Sequence, residues 1–353
     1  MSLYDFDEAW FEELLGGYPK FRVRQLMHGL YGNFLSVEEI LELPADIRKM
    51  LAADARLSPA LNELTRSYSD REQTIKYLFG LHDNTQIESV LMHSPKRSTV
   101  CISSQAGCAM ACKFCATGDA GFSRHLQVGE IVEQVIFAAR EAKSKGVRLD
   151  HIVYMGMGEP LANYDFVIES IRKILNRVGL SARKITLSTV GIIPGIKRLS
   201  KENLPINLAV SLHAANDDLR SELVPINKKY SLEPLIQSCA EYLATTGRRI
   251  SFEWALIKNV NDSERDAKEL AVLAHRLTPA AHVNLIPLNP TPGGQKQHFL
   301  PSDTRQIHNF YSVLCELGVN ATVRRTRGQD INAACGQLAT LKLGKKQRNH
   351  VSV

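Results

Sequence analysis

From residue 98 to residue 287 the chain alternates short, β-branched apolar runs with longer segments of helical period, and this repetition constrains the fold more than any other feature. Strand patterns fall near 98–103, 150–155, 184–188, 206–211, 249–255 and 282–287. Between them, "GEIVEQVIFAAREAKSKG" and "SERDAKELAVLAHRL" place apolar residues three and four apart, the period of an amphipathic helix. Strands separated by helices of this length pair in parallel through right-handed crossovers. The core is therefore an open barrel or a doubly wound sheet. A seventh strand, "NATVRRT", ends near Thr326.

Residues 1 to about 75 have a different character. "AWFEELL", "FRVRQLMHGLY" and "VEEILELPADIRKMLA" read as helices, with turn signals such as Gly16-Gly17 between them. Two β-rich runs, "TIKYLFGL" and "QIESVLMH", then lead into the alternating region. The expected organisation is a helical accessory domain over 1–75 and an α/β core over 76–353, with a basic carboxyl-terminal segment from about residue 326. At 353 residues, 44% hydrophobic and 23% charged, the chain can bury a full core. No apolar run approaches the roughly 20 residues that span a bilayer, and the opening "MSLYDFDEAWFEELL" is acidic where a secretory signal is basic. These features point to the cytoplasm.

The net charge of +6 is mild, but Arg324, Arg325, Arg327, Lys342, Lys345, Lys346 and Arg348 face only Asp330 beyond Asn320. Such a segment suits a polyanionic partner, or is simply a solvated tail. Lys20, Arg22 and Arg24 add a second basic group in the helical region.

Four of the seven cysteines crowd into "CISSQAGCAMACKFCATG". In a reducing compartment an odd number of cysteines reads as metal ligands or reactive thiols rather than bridges. Cys108, Cys112 and Cys115 form CxxxCxxC, and three thiolates this close can wrap one soft metal centre. Structural zinc wants four protein ligands, and no second pair follows. An iron-sulfur cluster held by three thiolates keeps one iron open for chemistry. Other polar residues fall at the carboxyl ends of strands, where barrels and doubly wound sheets gather ligands: "GMGEP", Ser188, Ser211, His213 and Asn289. Taken singly, the serines read as strand-end caps, His213 as a core histidine and Asn289 as a turn former. Cys239 and Cys315 lie in helical patterns and read as core residues.

CxxxCxxC after the first core strand resembles the signature of the radical S-adenosylmethionine (radical SAM) enzymes. Together, "CISSQAGCAMACKFCATG", "MGMGEP", "LSTVG", "SLHAA" and "RRTRGQDINAACGQL" resemble the RlmN/Cfr family of rRNA and tRNA adenine methyltransferases over nearly the whole chain. The resemblance implies a partial (β/α)6 barrel with β extensions and a small amino-terminal helical domain. It also implies a 4Fe-4S cluster on Cys108, Cys112 and Cys115, and SAM used twice per turnover, as methyl donor and as radical source. Gly158, Glu159, Ser188, Ser211, His213 and Asn289 would contact SAM. Carbon 2 of adenine is too electron-poor to attack a methyl sulfonium, whereas a thiolate can. By resemblance Cys335 carries the methyl group, Glu88 accepts a proton from the substituted carbon, and Cys101 attacks the Cys335 sulfur to free the product as a disulfide forms. The implied partners are 23S rRNA, tRNA and an electron donor such as flavodoxin or ferredoxin, with the enzyme a monomer. Three alternatives remain at this point: Cfr-type methylation of carbon 8, a non-catalytic iron-sulfur or zinc RNA-binding module, and a radical SAM enzyme acting on a small molecule.

Overall fold

The computed structural model describes residues 2–71, 73–95 and 97–339. Lys342, Lys345, Lys346 and Arg348 of the basic tail lie outside the described residues.

The chain opens with helices α1 (Glu8–Leu14), α2 (Phe21–Met27) and α3 (Ala45–Ala53). Asp7 starts the first by accepting the Trp10 N–H at 2.9 Å. These helices bury Phe11, Leu26, Ile47 and Leu51 in a core continuous with that of the rest of the molecule. The seam is also polar, because Lys173 donates to the Tyr4 carbonyl at 2.7 Å and Glu133 accepts the Ala60 N–H at 2.8 Å.

Residues 62–69, read as the end of the helical region, instead form strand β1 (Asn62–Ser69). It pairs antiparallel with β2 (Thr74–Gly80), which pairs with β3 (Gln86–Ser94), which pairs with β4 (Arg97–Cys101). The segment "NELTRSYS" is polar and mostly solvent-facing, so it lacks the apolar alternation that marks a half-buried strand. Pairing with β2 supplies what the pattern does not.

After β4 comes a small two-stranded sheet, β5 (Gln105–Gly107) with β6 (Phe122–His125), enclosing the cysteine loop and the short helix α4 (Ala116–Ala120). The alternating core follows: α5 (Val128–Ser144), β7 (Leu149–Tyr154), α6 (Tyr164–Arg177), β8 (Ile185–Thr189), α7 (Ile193–Leu199) and β9 (Asn207–Ser211). Then come α8 (Asp217–Leu223), α9 (Leu232–Thr246), β10 (Ile250–Leu256), α10 (Glu264–His275), β11 (His282–Pro287), α11 (Pro292–Lys296), α12 (Thr304–Glu316) and β12 (Ala321–Val323).

Among the described residues the main sheet runs β1-β2-β3-β4-β7-β8-β9-β10-β11-β12. Every pairing from β4 to β12 is parallel. The sheet curls, since Arg324, just past β12, brings Nη1 within 3.8 Å of the Met155 sulfur, just past β7. It is an open barrel with an antiparallel extension, matching the expected partial barrel. Cys239 is buried as expected, but Cys315 is exposed near the end of α12, on the face turned from the core.

Candidate active site

The cysteine loop is held in place by backbone hydrogen bonds and by Thr291, whose hydroxyl donates to the Phe114 carbonyl at 3.1 Å. The Cys108 N–H donates to the Gly121 carbonyl at 2.8 Å, and Cys115 N–H to the Cys112 carbonyl at 3.1 Å. Small residues permit the approach. At Gly107, where φ is +79°, a Cβ would stand 2.0 Å from the Gly121 oxygen, so only glycine fits. Cys108, Cys112 and Cys115 all line one cavity of about 160 Å³. Burial pushes the Cys108 thiol up to about 12 and the Cys112 thiol well above its usual range, so both are costly as free anions and suited to an iron that replaces the proton. Among the described residues no three His, Cys, Asp or Glu side chains stand at the spacing of ligands to a single ion. A cluster asks for wider spacing, because its thiolates bind separate irons. A 4Fe-4S group thus fits the donor set, with Cys108, Cys112 and Cys115 to hold it.

The same cavity is lined by Gly158, Glu159, Ser188, Ser211, His213 and Asn289, drawn from the carboxyl ends of β7, β8, β9 and β11. Gly158 has φ +100°, and a Cβ there would lie 2.5 Å from the Gln105 Cβ. Glu159 is buried and already saturated: its carboxylate accepts from Thr189 Oγ1 at 2.7 Å, the Val190 N–H at 2.8 Å and the Leu161 N–H at 3.0 Å. Burial still pushes it up to about 7. Its carboxylate braces the turn, as does its backbone, whose N–H donates to Gln105 Oε1 at 2.8 Å and whose carbonyl accepts the Ala162 N–H at 3.0 Å.

His213 is a hydrogen-bonded core histidine that also lines the cavity. It is buried, with Nδ1 accepting the Ala255 N–H at 2.9 Å, which leaves the proton on Nε2. Burial, with Arg220 next in weight, drops its pKa to about 3. The ring is therefore a neutral, oriented donor at the cavity wall. With the Ser188 and Ser211 hydroxyls, and apolar Val190, Ile286 and Leu288 beside them, this wall suits a zwitterionic head on a larger, less polar body. SAM fits that description.

Asn289 lines the same cavity, with its amide engaged within the protein. Its Nδ2 donates to the Cys335 carbonyl at 3.0 Å and its Oδ1 accepts from Gln329 at 3.2 Å, so it anchors the loop after β12. That loop is further tied by the Ala116 N–H to the Gly336 carbonyl at 2.8 Å and by Arg327 to the His93 carbonyl at 2.7 Å. These ties bring Cys335 to the first cavity and to a second of about 100 Å³, which it shares with Cys101. Cys101 ends β4 and is buried, and burial pushes its thiol up to about 12. Cys335 is open to solvent through the cavity, yet protein crowds it enough to raise its thiol as well, while Arg324 pulls it down.

Glu88 is buried on β3, on the face that also carries Val90 and Met92, which line the second cavity. It is not itself a lining residue of either cavity. Lys76 Nζ lies 3.1 Å from one carboxylate oxygen and the Ala339 N–H donates to the other at 2.9 Å. Burial raises this carboxyl above its usual value, against the pull of Lys76.

Several residues here escaped sequence reading. Arg220 is fully buried and donates to the carbonyls of Val190, Ser211 and Leu212, binding the ends of β8 and β9 together. Its segment "DDLRSEL" looks like an ordinary surface helix, and no sequence signal marks it. Arg324, counted above with the basic tail, is half-buried beside Glu253, with Nη1 3.4 Å from the carboxylate.

Parallel strands in an open barrel with a three-thiol loop over their carboxyl ends define the radical SAM class. Consistent with that, the model of the Radical SAM superfamily matches residues 102–271. A curated relative from Bifidobacterium adolescentis is 47% identical over 92% of this chain and 86% of its own length, and one from Salinispora tropica is 47% identical over 96% of this chain and 92% of its own; both are called probable dual-specificity RNA methyltransferase RlmN. The crystal structure of a radical SAM methyltransferase from Sphaerobacter thermophilus superposes with a TM-score of 0.90 at 46% identity, covering 96% of this chain and 99% of that one. The chain belongs to the RlmN family of radical SAM methyltransferases.

Proposed function

We propose that this enzyme methylates carbon 2 of adenine in 23S rRNA and tRNA through a methyl group carried on Cys335. The observation that carries the reading is that Cys101 and Cys335, 234 residues apart in sequence, line one cavity directly beside the three-thiol cavity. A metal-binding RNA module has no use for such a pair. The kinship with RlmN rather than Cfr relatives is what favours carbon 2 over carbon 8.

When bound, the 4Fe-4S cluster and SAM supply the methyl group and the hydrogen-abstracting radical. The chain's own residues do the rest. Gly158 and Glu159, Ser188, Ser211, His213 and Asn289 shape the SAM wall, with Nε2–H of His213 as a fixed donor. Cys335 takes the methyl and joins the base through it, forming a thioether. Glu88, whose burial strengthens its hold on a proton, accepts the one lost from the substituted carbon. The Cys101 thiolate then attacks the Cys335 sulfur, the carbon–sulfur bond breaks with its electron pair going to the product carbon, which is protonated, and a disulfide remains to be reduced. The base must leave its stack to reach this cavity. Lys20 and Arg24, both exposed, and Arg325 at the loop after β12 offer phosphate contacts. A flavodoxin or ferredoxin as electron donor, a monomeric state and action in the cytoplasm complete the proposal; among the described residues no helix is long and apolar enough to cross a membrane.

The test separates the two sulfurs. Cys101→Ala purified from cells should carry nuclease-resistant RNA on the peptide containing Cys335, and Cys335→Ala should carry none. Turnover by Cys101→Ala, or an adduct on another residue, sinks the assignment.

A further inference from the structure

Arg324 stands where three cavities meet. It lines the three-thiol cavity, the cysteine-pair cavity and a third, of about 530 Å³, that runs toward the opposite end of the barrel past Arg248, Arg249 and His282. Its backbone is fixed, since the Arg324 N–H donates to the Leu285 carbonyl at 2.8 Å. Its Nη1 faces Glu253 at 3.4 Å and the Met155 sulfur at 3.8 Å. Among the described residues its Nε and Nη2 have no hydrogen-bond acceptor, so two edges of the guanidinium are open. Glu253 is buried, on the inner face of β10, and its other oxygen accepts from Asn284 at 2.7 Å. The carboxylate is thus held from the far side and cannot turn away from the guanidinium.

We infer that Arg324 is a positioning residue of the methyl-transfer chemistry, the cation that Cys101 and Cys335 share, kept in place by Glu253. This rests on the role proposed above for the cysteine pair. The logic is one of charge. Each sulfur must act as an anion at one step, Cys335 to accept a methyl and Cys101 to attack the Cys335 sulfur, yet each sits where burial disfavours the anion. Arg324, Arg325 and Arg327 all line their shared cavity, but Arg327 is turned to the His93 carbonyl and Arg324 is the one whose charge opposes burial at both sulfurs, with Glu253 working against it at Cys335. Arginine suits the task because it keeps its proton where a lysine would be prone to lose one. The arrangement also explains why a buried carboxylate is tolerated on the barrel's inner face: it sets how much of the guanidinium charge reaches the sulfurs.

Oxidised glutathione imitates the release step without RNA. It reacts with the accessible Cys335 to give a mixed disulfide and one glutathione thiolate. The Cys101 thiolate then attacks the Cys335 sulfur, forming the Cys101–Cys335 disulfide and expelling the second glutathione. On cluster-loaded protein, the rates of the two releases are followed against pH, the first reading the Cys335 thiolate and the second the Cys101 thiolate, and peptide mass spectrometry identifies the sulfurs. Arg324→Gln should move the rise in rate about one unit toward alkaline pH, making closure roughly threefold to tenfold slower at fixed pH. Arg324→Lys should recover part of the loss. Glu253→Gln should shift the profile of the first release, which reads the Cys335 thiolate, toward acid pH, because an anion that raises this thiol is gone, and this arm remains if Arg324→Gln does not fold. Unchanged profiles in both variants, or shifts of the same sign, overturn the inference while leaving the cysteine pair intact. Absence of a Cys101–Cys335 disulfide in the wild type refutes the proposed pair itself.

Discussion

The Asn289 amide donates to the Cys335 carbonyl at 3.0 Å, so a residue at the end of β11 fixes the loop that bears the proposed methyl carrier. Asn289 thereby couples the SAM wall, which it also lines, to the position of Cys335. Asn289→Ala removes this bond and the one to Gln329, a loss of about 0.5–1.5 kcal/mol for each. Amide hydrogen exchange over residues 329–337 should accelerate while β7 to β11 keep their protection. Unchanged exchange in that loop shows that its other ties suffice.

Replacing Cys108, Cys112 or Cys115 by Ala should abolish the cluster, since each removes one of three thiols around a single cavity. Iron and sulfide analysis after anaerobic reconstitution checks this. Cys239→Ala and Cys315→Ala should retain full iron, as neither lies at that cavity. Iron retained in all three loop variants removes the basis for the cluster.

Gly158→Ala should weaken SAM binding far more than stability. The left-handed φ of +100° and the 2.5 Å approach to the Gln105 Cβ force the "GMGEP" turn to move. Strain of about 1–3 kcal/mol is expected. Gly179→Ala is the control: its φ of +74° carries a similar backbone penalty, but a Cβ there meets nothing within 4 Å. Calorimetric titration of SAM should separate the two, and equal affinities discount the close approach.

Glu133 gives the fold a pH dependence at the seam between the amino-terminal helices and α5. It is buried and accepts from Ala60, Leu61 and Ser2, yet burial pushes its pKa up to about 7. A folded-state pKa above the unfolded one means that the folded state holds the proton more tightly. The contribution is therefore fully present below the ordinary carboxyl range near 4.5 and is lost as pH rises through 7. Glu133→Gln should gain in Tm relative to wild type as pH rises across that window, by at most about 3 kcal/mol in stability. A Tm difference that is flat with pH contradicts the shift.

The alternation of strands and helices from β4 to β11, the three-thiol loop and the polar residues at strand ends were all legible in the sequence, because each is a local pattern. Period, spacing and turn chemistry are properties of a few consecutive residues. Strands β7 to β11 fall within two residues of their expected limits for that reason. β1 was hidden because a polar strand has no period of its own and is specified by its neighbour. Tertiary structure alone decided how the sheet curls, and with it everything that depends on distant residues meeting. It seats Cys335 beside Cys101, turns Arg324 from a member of a basic tail into the half-buried partner of Glu253, and makes Arg220 a clamp on two strand ends. Burial and electrostatic pairing are set by what surrounds a side chain in space. A residue's neighbours in sequence do not carry that information.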